Sequence, residues 1–251
     1  KAVLKYPGAK WRISEWIISH FPEHKVYCEP FFGSGAVFFN KPQTYIETIN
    51  DIDGNIVNLF KVCRDNPEEL ARLIEFTPFA REEFENCYDK SDDSLEQARR
   101  TLVRYHQSFG TSNSSKKSWR NVQTYGGPRT ATMWNYLPGR ISEICARLKE
   151  AQIENIDAIE LIRRYNDENT LLYCDPPYLQ SLRRKNMYSC ELSEEYHINL
   201  LSVLKESKSK IVLSGYDSQL YNSMLSGWNT DEKQTTAQMG KHRVEKIWFN
   251  F

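Results

Sequence analysis

The segment "TLLYCDPPYLQ" at residues 170–180 ends an apolar run with an acid, two prolines and an aromatic ring. The run predicts a buried strand, and a carboxylate at its C-terminal end would lie where open α/β sheets bind ligands. Pro176 has no N–H and Pro177 favours an extended Pro176, so the Asp175 carboxylate and the Pro176 carbonyl could both accept from one NH₂ group. Tyr178 adds a face on which a planar ring can stack. The constellation suits an exocyclic amine on a heterocycle, although a Pro-Pro turn capped by an aspartate would explain the prolines.

A second candidate site is "EPFFGSG" at residues 29–35, which follows the strand candidate "KVYCEP" and is expected to open a helix. Gly33 and Gly35 would let the backbone turn sharply and approach a ligand, which the N–H groups of the helix would face. Asp51 ends the next predicted strand, where an acid can accept hydrogen bonds from ribose hydroxyls. The full dinucleotide fingerprint and a GxxxxGK[ST] motif are both missing, so we expect a nucleoside-like ligand. A helix N-cap is the alternative role for Asp51.

The elements around these motifs predict an α/β fold. Residues 25–65 have the pattern strand, glycine loop, helix, strand, acid and helix. Residues 170–251 contain three more strand candidates, "TLLYC", "KIVLSGY" and "VEKIWFNF", with a helical pattern at 193–207. This alternation predicts a mostly parallel sheet covered by helices on both faces. The last strand alternates in character, which fits an antiparallel edge strand.

Composition limits the class of protein. Lys plus Arg and Asp plus Glu each total 33, so the formal net charge of the 251 residues is zero and a uniformly basic coat is excluded. The six cysteines are scattered without a CxxC pair, which predicts reduced thiols and no structural zinc or other metal site. No apolar run is long enough to span a membrane and no signal peptide is recognisable, so we expect a cytoplasmic protein.

The middle of the chain is polarised in charge. Residues 65–98 hold eleven acids and three bases, whereas residues 99–147 hold nine bases and one acid. The basic part is rich in Ser, Thr, Asn, Gly and aromatic residues, which predicts a long loop or hairpin region. Basic and amide side chains among aromatic rings suit phosphate contact and the reading of base edges. A solvated surface loop would have a similar composition.

Four segments together resemble the Dam-type DNA adenine-N6 methyltransferases, in which a glycine motif, a target-recognition insertion and DPPY follow in that order. They are "KYPGAKWR" at 5–12, "EPFFGSG" at 29–35, "NDID" at 50–53 and "DPPY" at 175–178. The segments "VLSGYDSQLYNSML" and "RVEKIWFNF" are similar to the family's later strands. The resemblance covers nearly the whole chain outside the insertion.

The resemblance implies a Rossmann-like class I S-adenosylmethionine-dependent methyltransferase fold with a mostly parallel seven-stranded sheet. Residues 1–62 and 152–251 would form the catalytic domain, and residues 63–151 an inserted, mainly helical target-recognition domain. The implied activity is methyl transfer from S-adenosylmethionine to N6 of an adenine flipped out of double-stranded DNA. The implied setting is the cytoplasm of a bacterium or a phage-infected cell. The recognition sequence, a companion restriction endonuclease, and a monomeric or dimeric state on DNA stay open.

The resemblance also implies residue roles. The catalytic residues would be Asp175, Pro176, Pro177 and Tyr178. The cofactor contacts would be Tyr6, Lys10, Glu29, Phe32, Gly33, Ser34, Gly35, Asp51, Ile156, Asp157 and Asp175. The DNA contacts would be Arg104, Lys116, Lys117, Arg120 and Arg129 at phosphates or guanine, with Asn121 and Gln123 at adenine. Without the family, Lys10 and Asp157 would be interpreted as surface charges near the ends of elements.

The chemistry of adenine agrees with these roles. N6 is a poor nucleophile because its lone pair is delocalised into the ring, and hydrogen bonds to Asp175 and the Pro176 carbonyl would favour a more tetrahedral nitrogen. Flipping the base costs a few kcal/mol, roughly, and stacking on Tyr178 would offset about 1–3 kcal/mol of that. Direct transfer needs no cysteine nucleophile.

Several rival functions remain open. Relatives that act on cytosine N4 usually have Ser in place of Asp175, and those that act on protein glutamine usually have Asn. Adenine in RNA is a closer rival, although the motif order and the basic insertion favour duplex DNA. A non-catalytic DNA-binding relative would not need the intact DPPY motif.

Overall fold

The computed structural model describes residues 2–109, 118–123, 125, 129–180, 190–236 and 242–251. The strands in these ranges are β1 (Val26–Glu29), β2 (Ile46–Asn50), β3 (Gln152–Glu154), β4 (Thr170–Cys174), β5 (Lys210–Gly215), β6 (Asn229–Thr236) and β7 (His242–Phe249). The helices are α1 (Ser14–Ile18), α2 (Gly54–Asp65), α3 (Pro67–Phe76), α4 (Arg81–Asn86), α5 (Ser94–Gln107), α6 (Thr130–Trp134), α7 (Leu137–Lys149), α8 (Ala158–Arg164), α9 (Glu194–Glu206) and α10 (Gln219–Met224).

The described strands form one seven-stranded sheet in the order β3-β2-β1-β4-β5-β7-β6. Neighbours from β3 to β5 are parallel, whereas β7 is antiparallel to both β5 and β6. The order reverses between β1 and β4, which creates a crevice at the carboxyl ends of these two strands. The prediction of a Rossmann-like, mostly parallel seven-stranded sheet is confirmed.

Side chains on alternate positions of each central strand enter different cores, because successive residues of a strand point to opposite faces. In β4, Leu171 and Tyr173 join the core beneath α2, α3, α5 and α7, while Leu172 and Cys174 join the core beneath α8, α9 and α10. All five residues of β4 are buried. The continuous apolar run in the sequence therefore reflects a strand that is covered on both faces.

The helix expected after the glycine motif is not formed, and residues 36–40 make consecutive turns instead. The Asn40 side chain donates to the Ala36 carbonyl at 2.7 Å, while the Asn40 N–H donates to Val37 at 3.1 Å. The amide side chain thus takes the carbonyl that a helix would offer to the backbone. Pro42 follows and has no N–H to continue the ladder.

The expectation that the last strand lies at the edge is also wrong. The strand β7 is antiparallel, as expected, but it lies between β5 and β6, and its Ile247 and Trp248 are buried. The edge is β6, whose sequence "NTDEKQTT" is almost entirely polar. A polar strand at an edge resists pairing with other chains, and it carries little strand signal for the same reason.

The helices of residues 67–149 pack on the catalytic part through a shared core. Residues Leu70, Leu102 and Ile141 belong to the same buried cluster as Tyr27 of β1 and Val212 of β5. Helix α2 runs through Asp65, so the expected boundary at residue 62 falls inside it. The division into two domains stays a prediction.

The two opposed charge blocks meet inside this helical region. Arg99 on α5 pairs with Glu83 on α4 and with Glu96 on its own helix, each at 2.7 Å. Arg100 pairs with Glu96 at 2.7 Å. These contacts neutralise part of the basic block, so its charge cannot be assigned wholly to a ligand surface.

Candidate active site

The glycine motif and the DPPY motif meet at the crevice between β1 and β4. The strands are paired from Val26↔Thr170 to Cys28↔Leu172, so Glu29 and Asp175 follow on neighbouring strands at the same end of the sheet. A cavity of about 280 Å³ opens there. Its lining includes Tyr6, Lys10, Glu29, Phe32, Gly33, Ser34, Asp51, Asp157, Asp175 and Pro177 of the expected site residues.

Asp51 stabilises the glycine turn by accepting hydrogen bonds from backbone N–H groups. Gly33 and Gly35 have φ values of +51° and +66°, in the left-handed region that favours glycine. The Gly33 N–H donates to Asp51 Oδ2 at 2.8 Å, and the Asp53 N–H donates to Oδ1 at 2.9 Å. A Cβ on Gly35 would lie 2.4 Å from the Phe32 ring, so Gly35 serves the packing of the turn beside the cavity. The carboxylate oxygens of Asp51 keep further acceptor capacity.

Asn50 joins the ends of three segments, and no role was predicted for it. Its side-chain Nδ2 donates to the carbonyls of Pro30 at 2.9 Å and Ile156 at 3.1 Å, and its Oδ1 accepts from the Ile156 N–H at 3.0 Å. Asn155 reinforces this by donating to the Asp51 carbonyl at 2.7 Å. The signals available in the sequence were the position of Asn50 at the end of a predicted strand and its place in the segment "NDID".

Asp157 also lines the cavity. Its Oδ1 caps α8 by accepting from the N–H groups of Ile159 at 2.9 Å and Glu160 at 3.2 Å, and its Oδ2 accepts from the Tyr196 hydroxyl at 2.8 Å. Asp157 is thus a helix cap as well as a residue of the cavity wall. Ile156 packs instead against the core beneath α8 and α9.

Two residues of the DPPY motif, Asp175 and Tyr178, lie next to the ammonium group of Lys10. Lys10 Nζ lies 3.0 Å from Asp175 Oδ2 and 4.7 Å from the centroid of the Tyr178 ring. The Tyr178 hydroxyl donates to Glu245 Oε2 at 2.7 Å, and its ring packs edge-on against Tyr216 with centroids 4.4 Å apart. Among the described residues, no group is placed to form a hydrogen bond with the buried Asp175 Oδ1. Glu245, Tyr216 and Tyr196 were all missed in the sequence.

Three acids of the cavity have raised pKa values. Burial raises the pKa of Glu29 to about 8; the negative charge of Asp175 adds to this, and a hydrogen bond from the Tyr27 hydroxyl opposes it. Burial raises the pKa of Asp51 to about 6, against the N–H groups of Asp53 and Gly33. Burial also raises the pKa of Asp175 to about 6, against the positive charge of Lys10. A cavity with several buried acids suits a cationic ligand.

Comparison with known proteins agrees with this geometry. The family model for the D12 class N6 adenine-specific DNA methyltransferases matches residues 6–239. The chain belongs to this family. It is therefore an S-adenosylmethionine-dependent DNA adenine-N6 methyltransferase, as the sequence predicted.

Relatives and one solved structure show how far the likeness extends. The chain is 24% identical to the DNA adenine methylase of Escherichia coli K12, over 98% of this chain and 87% of that protein. It is 24% identical to the DNA adenine methylase of Haemophilus influenzae, over 89% and 82% of the two chains. A type II methyltransferase of Lactococcus lactis subsp. cremoris is 26% identical, over 94% and 88%. An S-adenosylmethionine-dependent methyltransferase of Agrobacterium tumefaciens superposes with a TM-score of 0.35 at 10% identity, over 95% and 59% of the two chains, which adds nothing to the assignment.

The residues present fit the methyl donor. S-adenosylmethionine carries a sulfonium and an α-ammonium group, and the cavity offers it three buried acids and a carboxylate oxygen without a described partner. Asp51 can accept from ribose hydroxyls while it holds the glycine turn. The contacts of individual residues with the donor stay predictions.

We expect binding of S-adenosylmethionine to release protons and to strengthen as the pH rises from 6 to 8. At pH 6, Glu29 is largely protonated and Asp51 and Asp175 are partly protonated; towards pH 8 the two aspartates are ionised and Glu29 titrates, and a cationic ligand favours the ionised form of each. Calorimetric titration in two buffers with different ionisation enthalpies measures the proton release. The matched ligand is S-adenosylhomocysteine, whose neutral sulfur should release fewer protons. Proton uptake, or equal release by both ligands, would contradict the expectation.

The expected DNA contacts are scattered over the insertion. Asn121, Gln123 and Arg129 are exposed, while Arg104 is half-buried with its guanidinium 5.0 Å from the Tyr88 ring centroid. Lys116 and Lys117 lie outside the described residues.

Arg120 belongs to a basic cluster, which we define as Lys5, Arg120 and Arg140. Burial and the positive charges of Arg120 and Arg140 lower the pKa of Lys5 to about 8. Mutual repulsion of this kind favours a site for an anion. Sequence reasoning assigned no DNA contact to Lys5 or Arg140, although both lie in segments that it singled out.

Proposed function

We propose that the enzyme methylates N6 of an adenine flipped out of double-stranded DNA, and that Asp175 accepts the hydrogen bonds of the amino group. The observation that carries this proposal is the position of the Lys10 ammonium. An N–H donor stands 3.0 Å from the Asp175 carboxylate and 4.7 Å from the centroid of the Tyr178 ring. The amino group of a base stacked on Tyr178 would need the same acceptor.

The reaction follows from these contacts. S-adenosylmethionine supplies a methyl group on its positively charged sulfur. Asp175 and the Pro176 carbonyl accept hydrogen bonds from the two N6–H groups. This arrangement turns the N6 lone pair out of the plane of the ring. This pair forms the new bond to the methyl carbon, and the pair of the broken C–S bond stays on sulfur. The surplus proton of N6 passes to the Asp175 carboxylate, whose raised pKa of about 6 helps it accept.

Substrate entry requires Lys10 to move, because its ammonium lies over the Tyr178 ring on which the base would stack. Tyr178 is 5% exposed, so its ring is covered until a neighbouring group moves. Lys10 is the group that lies over the ring and competes for the same carboxylate. Lys10 would therefore keep Asp175 and Tyr178 in place while no base is bound. It would move away when the amino group of the base binds.

The test is methyl transfer from labelled S-adenosylmethionine to unmethylated genomic DNA, with the wild type beside Asp175→Ala. The DNA is digested to nucleosides, and the modified positions are mapped to obtain the recognition sequence. Parallel reactions use RNA and single-stranded DNA. Label in N6-methyladenine of duplex DNA, absent from the variant, supports the proposal. Label that enters RNA in preference to DNA would contradict it, and cofactor binding without transfer to any nucleic acid would support a non-catalytic relative.

The basic cluster is the part of the DNA interface that the described residues support best. We expect Arg120→Ala to weaken binding about equally for specific and random duplexes. The slope of log K against log salt should fall by about 1, as for the loss of one phosphate contact. Fluorescence anisotropy over a salt series measures both quantities. The control is Arg163→Ala, an exposed arginine on α8 at the other face of the sheet. An unchanged salt slope for Arg120→Ala would show that Arg120 is not a phosphate contact.

The wider setting is part of the same proposal. Residues 1–62 and 152–251 would act as the catalytic domain and residues 63–151 as the target-recognition domain. A companion restriction endonuclease is supported by the name of the Lactococcus lactis relative. Action on DNA is in accord with the expected cytoplasmic location in a bacterium or phage-infected cell. In the described part of the chain, no helix has the length and apolarity needed to cross a membrane.

A further inference from the structure

Glu245 reaches the DPPY motif from the antiparallel part of the sheet. Gly215 at the end of β5 pairs with Lys246 of β7, so Glu245 lies just beyond the carboxyl end of β5, beside Tyr216. Its side chain is 13% exposed. This largely covered acid therefore reaches Tyr178 of the motif and lies 4.0 Å from the Lys10 ammonium.

The first contact of Glu245 fixes the aromatic ring of the motif. Its Oε2 accepts the hydrogen bond of the Tyr178 hydroxyl at 2.7 Å. A hydrogen bond to a carboxylate is stronger than one between neutral groups. Together with the edge-on contact to Tyr216, it sets where the Tyr178 ring stands relative to Asp175. A small displacement of a positioned reactant can cost a large factor in rate.

The second contact concerns the ammonium of Lys10. Lys10 Nζ is 3.0 Å from Asp175 Oδ2 and 4.0 Å from Glu245 Oε2, the same oxygen that accepts from Tyr178. Two carboxylates therefore share one buried ammonium. If the amino group of a base takes over Asp175, Lys10 keeps its hydrogen bond to the Gly8 carbonyl at 2.8 Å, and the carboxylate of Glu245 is already within reach as a second negative charge.

We propose that Glu245 is a positioning residue for methyl transfer: it holds Tyr178 through the hydroxyl group and receives the Lys10 ammonium when the substrate amine occupies Asp175. This inference rests on the proposed function, because Lys10 needs Glu245 as a second partner only if the amino group of a base binds to Asp175. Glu245 acts through Tyr178 and Lys10 and does not itself touch the base.

The experiment compares Glu245→Ala and Glu245→Gln in the full chain by single-turnover methylation of the mapped duplex. Glu245→Ala removes the acceptor and the charge, and we expect its rate to fall about tenfold or more while S-adenosylmethionine affinity stays within about twofold. Glu245→Gln keeps an acceptor for Tyr178, so it should recover part of the rate. The control is Glu232→Gln on β6, an exposed acid beside Lys246, which should leave the rate unchanged.

Two further readouts separate positioning from a merely structural role. Tyr178→Phe removes the same hydrogen bond from the other side, so combining it with Glu245→Gln should cost less than the product of the two single losses. The acid limb of the pH profile of kcat/KM should move to lower pH in Glu245→Gln, because the negative charge of Glu245 raises the pKa of Asp175. The ionisable groups that interact with Asp175 among the described residues include Lys10, Glu29, Tyr173, Cys174, Tyr178, Tyr221 and Glu245.

The outcomes are distinct from those of the proposed function. Activity of the wild type that is lost in Asp175→Ala establishes the proposed function independently of Glu245. A Glu245→Ala rate within twofold of the wild type, or independent effects of Tyr178→Phe and Glu245→Gln with an unmoved pH profile, would overturn the positioning role. If Glu245→Ala fails to fold, Glu245→Gln and Tyr178→Phe still decide the question, because each changes one atom or group of the same contact.

Discussion

Replacing Asp175 with asparagine should lower the rate of methyl transfer about 10²–10³-fold, the range typical for loss of one group that stabilises a transition state. Asparagine offers one acceptor oxygen, and its own NH₂ group would oppose the N–H groups of the substrate and the ammonium of Lys10. The carboxylate of Asp175 has no such donor, and Lys10 Nζ is 3.0 Å from its Oδ2. Single-turnover kinetics at saturating DNA and cofactor measure the loss.

The affinity for S-adenosylmethionine should change much less than the rate, since Glu29 and Asp51 remain in the cavity. Asp217→Asn is the matched control, because Asp217 is an exposed aspartate that pairs with Lys246 at 2.8 Å outside the cavity. The control should keep the wild-type rate. A variant Asp175→Asn that retained more than about a tenth of the wild-type rate would refute a direct role for the carboxylate in the chemical step.

Replacing Glu47 with alanine should lower the free energy of unfolding by about 3–5 kcal/mol, as for other buried ion pairs that lose one partner. Glu47 lies on β2 with its side chain fully buried, between Lys41 and Arg147 of α7. Arg147 Nη2 donates to its Oε1 at 2.6 Å, and the Thr44 N–H donates to the same oxygen at 3.0 Å. The substitution would leave two cations in the interior without their carboxylate.

The pKa of Glu47 is lowered, because the hydrogen bonds of Arg147 and Lys41 outweigh the opposing effect of burial. Its contribution to stability is therefore present above the pKa of an unfolded glutamate and is lost as the pH falls through the lower folded value. The difference between the wild type and Glu47→Ala should shrink in acid. Urea unfolding at pH 7 and at pH 4 measures both effects.

Glu160→Ala provides the control for this prediction. Glu160 pairs with Arg164 one turn along α8, and both side chains are more than half exposed. Exposed pairs of this type contribute about 0.3–0.5 kcal/mol, so unfolding should scarcely change. A loss below about 1 kcal/mol in Glu47→Ala would mean that the buried cations find other partners.

Much of the fold could be read from short segments. The apolar runs that became β4 and β5 are continuous because those strands are covered on both faces. Helix α9 over 194–206 falls within the helical pattern predicted at 193–207, and Ser193 caps it by accepting from the Tyr196 N–H. The helix predicted after the glycine motif was wrong, because the Asn40 side chain competes with the backbone for the Ala36 carbonyl.

The residues of the candidate site also fall into two groups, those that the sequence indicated and those that it did not. Asp175, Tyr178, Gly33 and Asp51 were singled out in the sequence because a carboxylate, an aromatic ring or a glycine at the end of a predicted strand can serve a ligand site. No role was predicted for Asn50, Tyr196 or Glu245, since each acts on a partner 39 to 106 residues away along the chain. No local spacing records such a distance.

By itself, the amino-acid sequence determined the class of this protein through the order of its motifs, and it predicted the mostly parallel sheet. The amine-binding role of Asp175-Pro176-Pro177-Tyr178 stays a prediction. Tertiary structure decided which charges face one another. It placed Glu245 and Lys10 at the motif, Arg147 against Glu47, and Lys5 beside Arg120 and Arg140. The physical reason is that strand and turn preferences act over a few residues, whereas the pKa of a buried group depends on every charge that the fold brings within a few ångströms.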